Sequence, residues 1–117
     1  MAELREKIDL AFLSAFYGGL LTEKQRQVLS LHCEEDLSLG EIAEEVGISR
    51  QAVHETITRA AARLTALEAS LGMAARFLRM ENGLEEALSF LKQQEYNRAE
   101  AVLSDLLALD QEDTDGL

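Results

Sequence analysis

Apolar residues recur along almost the whole chain at helical spacing. Leu4, Ile8, Phe12 and Phe16 fall four apart, with Ala11 and Ala15 beside them. They predict a first helix over about Glu3–Tyr17, which Gly18-Gly19 stop. Thr22 with Gln25 has capping-box spacing and opens a second helix, with Leu21, Val28, Leu29 and His32 or Cys33 as its buried stripe. Ser38 with Glu41 repeats that spacing and opens a third, in which Leu39, Ile42, Ala43 and Val46 face inward. Gly47 stops it, and Ser49 caps a fourth helix two residues later. The fourth is the longest. Its Ile57, Ala60, Leu64, Leu67 and Leu71 repeat in alternating steps of three and four, the spacing of a short coiled-coil seam. Asn82-Gly83 reads as a clearer break than Gly72. A fifth helix is therefore expected over about Leu84–Gln94, and a sixth from an Asn97 cap to about Leu109.

This pattern predicts an all-α fold in three parts. Residues 1–71 form a helix-turn-helix domain that includes a long reading helix, residues 72–110 a C-terminal helical hairpin, and residues 111–117 a flexible acidic tail. Composition agrees: the chain has no proline and is rich in Leu, Ala, Glu, Arg and Gln, all compatible with helix. The hairpin has the character of a single tetratricopeptide unit, which cannot stack on itself. Its Leu-rich helices are expected to pack back on the fourth helix or on a second copy of the chain. Together with the fourth-helix seam, this predicts a homodimer.

The stretch Ser38–Leu64 carries the functional information. A helix-turn-helix needs a short helix, a tight turn and a second, steeply angled helix. Gly47 suits the left-handed backbone of the turn, Ala43 is small where the helices approach, and Ile48 is apolar where the turn plugs the core. On the fourth helix Val53, Ile57, Ala60 and Leu64 define the buried side, and Gln51, Glu55, Thr58 and Ala62 lie opposite. Arg50, His54, Arg59 and Arg63 flank that surface. First-turn residues of such a helix enter a major groove, where Arg reads guanine and Gln reads adenine. The expected nucleic-acid contacts are Arg50, Gln51, His54, Thr58 and Arg59, with Arg59 and Arg63 within reach of phosphates. The competing reading is a capped helical hairpin that displays arginine only for solubility.

Charge complicates the picture. The 117 residues carry a net −11. Residues 22–63 hold five basic and eight acidic side chains, and residues 64–117 hold four and eleven. Affinity for nucleic acid comes largely from neutralising phosphates, and Glu55 stands in the middle of the exposed face. Cys33 is the only cysteine, so no intramolecular disulfide can form, and a cytoplasmic setting is expected. No apolar run reaches the ~20 residues of a membrane span. His32 and Cys33 are adjacent and have no second His/Cys group to complete a metal site, and His54 has no partner at triad-like spacing. Neither a glycine-rich phosphate loop nor a catalytic set is evident. The expectation is a non-enzyme without metal, cofactor, small-molecule substrate or membrane attachment.

The elements FY and LLTEKQ (Phe16–Gln25), EDLSLGEIAEE (Glu35–Glu45) and ISRQAV (Ile48–Val53) resemble the bacterial YlxM family of helix-turn-helix proteins. The resemblance covers roughly Ala11–Met73, and the same core is similar to the promoter-reading C-terminal domain of sigma factors. It implies a sigma-like helix-turn-helix and a regulatory role. It also implies an association with the signal recognition particle pathway, since the family's genes lie beside those of the particle's GTPases. Two functions stay open: a nucleic-acid-binding regulator, acting on DNA or on the particle's RNA, and an accessory protein that contacts the particle's GTPase or RNA without binding DNA.

Overall fold

The computed structural model describes the backbone of residues 2–115 and the side chains of residue 7 and residues 9–109. All regular elements among them are helical: α1 (Ala2–Tyr17), a 3-10 turn (Gly18–Leu20), α2 (Glu23–Cys33), α3 (Leu39–Val46), α4 (Arg50–Leu71), α5 (Met73–Lys92) and α6 (Tyr96–Asp115). The chain divides into two compact units, Met1–Ala74 and Ala75–Leu117.

Local chemistry explains the starts of α2, α3 and α4. Thr22 Oγ1 accepts from Gln25 N at 3.1 Å, and Gln25 Oε1 accepts from Thr22 N at 3.0 Å. Ser38 and Glu41 repeat this reciprocal pair with the same distances. The Ser38 bond to Glu41 also holds that carboxyl below its ordinary pKa, because the N–H favours the charged form. Each box satisfies two backbone donors that a helix start otherwise leaves open.

The first unit encloses two adjoining clusters. Tyr17, Leu21, Leu29, Ala60 and Leu64 form one, and Val28, Leu31, Ile42 and Val53 the other. Ile57 packs against both and joins them. The α4 seam thus faces inward: Ala60 and Leu64 have no exposed surface, Leu67 packs on the first cluster, and only Leu71 is exposed, at 56%. The seam that suggested pairing between chains is filled by α1, Leu21 and α2 of the same chain. Leu31 is buried, while His32 and Cys33, expected in the α2 stripe, are half-buried. Burial pushes the Cys33 thiol up, out of the range of a reactive thiolate.

After Leu71 the structure departs from the sequence expectation. Gly72, at φ 63° and ψ 21°, caps α4 in the left-handed region, and its N–H donates to Glu68 O at 2.8 Å. Helix α5 then starts at once and runs through Asn82-Gly83 without a break. Gly83 is buried, and a Cβ there would sit 2.6 Å from Leu106 Cδ2. Gly83 therefore marks a close approach between α5 and α6. Glycine in a helix interior costs roughly 1 kcal/mol against alanine, and seating Leu106 offsets that cost. Gln94, at φ 61°, makes the α5–α6 turn without a glycine, and α6 starts at Tyr96, one residue before the expected Asn97 cap. Helix α6 continues to Asp115, and residues 116 and 117 of the expected tail lie outside the described residues.

Candidate nucleic-acid interface

The turn between α3 and α4 spans Gly47–Ser49. Gly47 has φ 79° and ψ 33°, and its N–H and that of Ile48 both donate to Ala43 O, at 2.9 and 3.1 Å. A Cβ on Gly47 would meet nothing within 4 Å, so glycine is needed for the backbone angle and not for space. Ser49 returns to extended backbone, at φ −73° and ψ 159°, and its Oγ accepts from Ala52 N at 3.0 Å. The reversal therefore closes in three residues, leaving Arg50 and Gln51 exposed in the first turn of α4.

Val53, Ala60 and Leu64 anchor the opposite side of α4 in the core. The outward line consists of Gln51, Glu55, Arg59 and Ala62, with Arg63 at one rim, all exposed. His54 and Thr58 are exposed at the other rim, where they line a cleft of about 890 Å³ with Leu13, His32, Leu37 and Leu39. Thr58 Oγ1 donates to His54 O at 2.9 Å, so this hydroxyl proton is engaged within the helix. Arg50 is also turned from the outward line. Its guanidinium lies over Gly40 in the first turn of α3, where a Cβ would come within 2.8 Å of its Nη2. The five expected contacts thus fall into two groups: Gln51 and Arg59 point outward, whereas Arg50, His54 and Thr58 lie on the side of α3 and the cleft.

The sequence pattern missed a network at the far end of α4. Tyr17, only 1% exposed, donates its hydroxyl to Glu68 Oε1 at 2.6 Å. The same hydroxyl accepts from Met73 N, and Glu68 Oε1 accepts from Ala74 N, both at 3.0 Å. The network satisfies the first backbone donors of α5, and burial and the Glu68 carboxylate push the Tyr17 hydroxyl above its usual pKa. A Tyr directly before Gly-Gly was the one available signal, and spacing cannot name its partner.

A capped α3, a left-handed glycine turn and a second helix with an exposed first turn define a helix-turn-helix protein. Residues 4–106 match the family UPF0122, described as "Putative helix-turn-helix protein, YlxM / p13 like", and the chain belongs to that family. The match continues through α5 and most of α6, well past the stretch in which the sequence motifs lie. The UPF0122 protein of Desulforamulus reducens is 42% identical over 88 residues, 75% of each chain. That of Symbiobacterium thermophilum is 49% identical over 82 residues, 68% of this chain and 77% of the relative. That of Latilactobacillus sakei is 40% identical over 110 residues, 92% and 96% of the two chains. Among the described residues, no helix is long and apolar enough to cross a membrane.

Proposed function

We propose that this protein is a nucleic-acid-binding regulator that acts as a homodimer, without catalysis, and lays the outer face of α4 in the major groove of DNA. The observation that carries the reading is the exposed first turn of α4 beyond a fully formed α3–α4 turn. Gln51 reads adenine, Arg59 and Arg63 contact phosphate, and Arg50 reaches phosphate from the α3 side. Glu55 accepts from cytosine N4 or repels backbone, so it narrows the tolerated sequences. With so few arginines on the face, binding is weak and falls with a shallow salt slope. Selection from a random duplex library at low salt tests the reading: enrichment of a motif supports it, and recovery of unselected sequence overturns it.

A second reading rests on the 22 acidic against 11 basic side chains. A surface so acidic favours a basic protein partner over bare duplex. Following the family resemblance, that partner is the GTPase of the signal recognition particle, contacted with or without the particle's RNA. In that case Glu85→Lys with Glu86→Lys slows association with the GTPase, and Gln51→Ala does not. GTPase association that is unaffected by the charge reversal overturns this reading.

A further inference from the structure

Gly40 is the second residue of α3 and stands in ordinary helical backbone; the described glycines at positive φ are Gly47 and Gly72. No backbone angle therefore asks for glycine at this position, and alanine is the better helix former. The reason for glycine is space. A Cβ here would lie 2.8 Å from Arg50 Nη2, 3.0 Å from its Nε and 3.1 Å from its Cζ, and these are the three atoms nearest to it. One side chain, from the first turn of α4, occupies the room that a methyl group would take. Among the described residues no acidic group pairs with that guanidinium. The positive end of α3 offers a cation no attraction either. The room above Gly40 thus sets the place of the guanidinium, and Arg50 stays exposed there.

In a docked helix-turn-helix the second helix lies in the major groove and the first crosses the backbone of the duplex. A side chain in the first turn of α4 therefore meets one of two chemistries. On the outward line, beside Gln51, it faces base edges; drawn over α3, it faces phosphate. Arginine suits both, because its planar fork matches a phosphate as well as the O6/N7 edge of guanine. The side that Arg50 takes thus changes what the protein reads. A phosphate contact strengthens binding to every sequence alike, whereas a guanine contact selects among sequences.

We infer that Gly40 is a positioning residue for Arg50: by leaving the first turn of α3 bare, it seats the guanidinium on the phosphate side of the reading helix and leaves base reading in that turn to Gln51. The inference rests on the nucleic-acid reading above; it does not depend on dimerisation. Gly40→Ala drives the guanidinium off α3, because a Cβ and Nη2 cannot both stay at 2.8 Å. What moves is the far end of an exposed, flexible side chain, so the fold loses nothing and α3 gains helix propensity. Stability and phosphate binding therefore part company at residue 40. A glycine kept for packing alone behaves otherwise, since its replacement lowers stability and affinity together.

Proton NMR, thermal melts and duplex affinities over a salt series, all on the full chain, test the inference. The free parent should show a nuclear Overhauser contact between Arg50 Nε–H and the Gly40 α protons, and its absence overturns the seating. Gly40→Ala should melt at or above the parent temperature; a lower one shows a packing role instead. Its affinity for unselected duplex should fall severalfold. Its slope of log affinity against log salt should shrink by about 1, as in Arg50→Ala. Gly40→Ala/Arg50→Ala should bind no more weakly than Arg50→Ala, because both changes remove the same contact. Gly40→Ala/Arg59→Ala should instead lose the two effects additively. If the parent binds duplex and Gly40→Ala keeps its affinity and slope, the positioning role is overturned and the nucleic-acid reading stands. Additivity between Gly40→Ala and Arg50→Ala has the same meaning. A parent that binds no duplex overturns the nucleic-acid reading and this inference with it.

Discussion

The Tyr17 hydroxyl and the Glu68 carboxylate meet at 2.6 Å although 51 residues separate them in sequence. The bond joins the end of α1 to the last turns of α4, and the same two groups receive the N–H donors of Met73 and Ala74. It therefore ties the end of α1 to the last turns of α4 and to the first backbone donors of α5. The pair has a pH signature, because Tyr17 ionises above its usual value in the folded chain, with burial the larger cause and Glu68 the next. A raised pKa means that the neutral hydroxyl is favoured by folding. Its contribution is complete below the ordinary tyrosine pKa of ~10 and is lost as pH climbs through the folded value. Tyr17→Phe should lower the melting temperature at pH 7 and flatten the loss of stability above pH 10. Thermal melts of both proteins across pH 7–11 check this, and parallel curves would remove the proposed role.

Gly47 should be replaceable only by residues that accept a left-handed backbone. Gly47→Val is expected to cost about 1–3 kcal/mol from backbone strain alone, since a Cβ there meets no atom. Gly47→Asn should cost clearly less, because Asn tolerates this region. Urea unfolding of both variants separates strain from crowding; equal losses would point to crowding after all.

Leu64 and Leu71 share one helical seam but have opposite fates. Leu64→Ala removes a fully buried side chain from the first cluster and should cost about 2–5 kcal/mol. Leu71→Ala, at a residue 56% exposed, should fall within about 0.5 kcal/mol of the parent. Denaturant midpoints at a constant m-value measure both.

The outward line of α4 yields the functional prediction. Gln51→Ala should relax preference at one base pair, by about 1–3 kcal/mol, with little change elsewhere. Arg59→Ala should weaken binding to all duplexes alike and reduce the salt slope by about 1. Thr58→Val should have little effect on selectivity, since the Thr58 hydroxyl proton already serves His54 O. Affinities for two duplexes at two salt concentrations, measured for each variant, decide between base reading and phosphate contact.

The capping boxes at Thr22 and Ser38, the Ser49 cap and the left-handed Gly47 were legible in the sequence because each acts within one helical turn. The amphipathic period likewise showed α1–α4 and the buried side of α4, and with the turn it identified the helix-turn-helix. The candidate site was legible to the same depth. Exposure of Gln51 and Arg59 follows from their phase against Val53 and Ala60. The fold of Arg50 onto Gly40 does not, because it depends on where α3 lies beside α4.

What faces each apolar stripe was decided in three dimensions. Periodicity reports that a stripe is apolar and says nothing of what faces it. The Ile57–Leu71 seam suits a helix from another chain as well as one from its own, and Tyr17, Leu21 and Leu29 of the same chain fill its inner part. Gly83 reads locally as a helix stop, and only the Leu106 side chain from α6 makes it a point of close approach inside α5. Local hydrogen bonds and backbone angles belong to the sequence within a turn, whereas burial belongs to pairs of residues that the chain brings together from far apart.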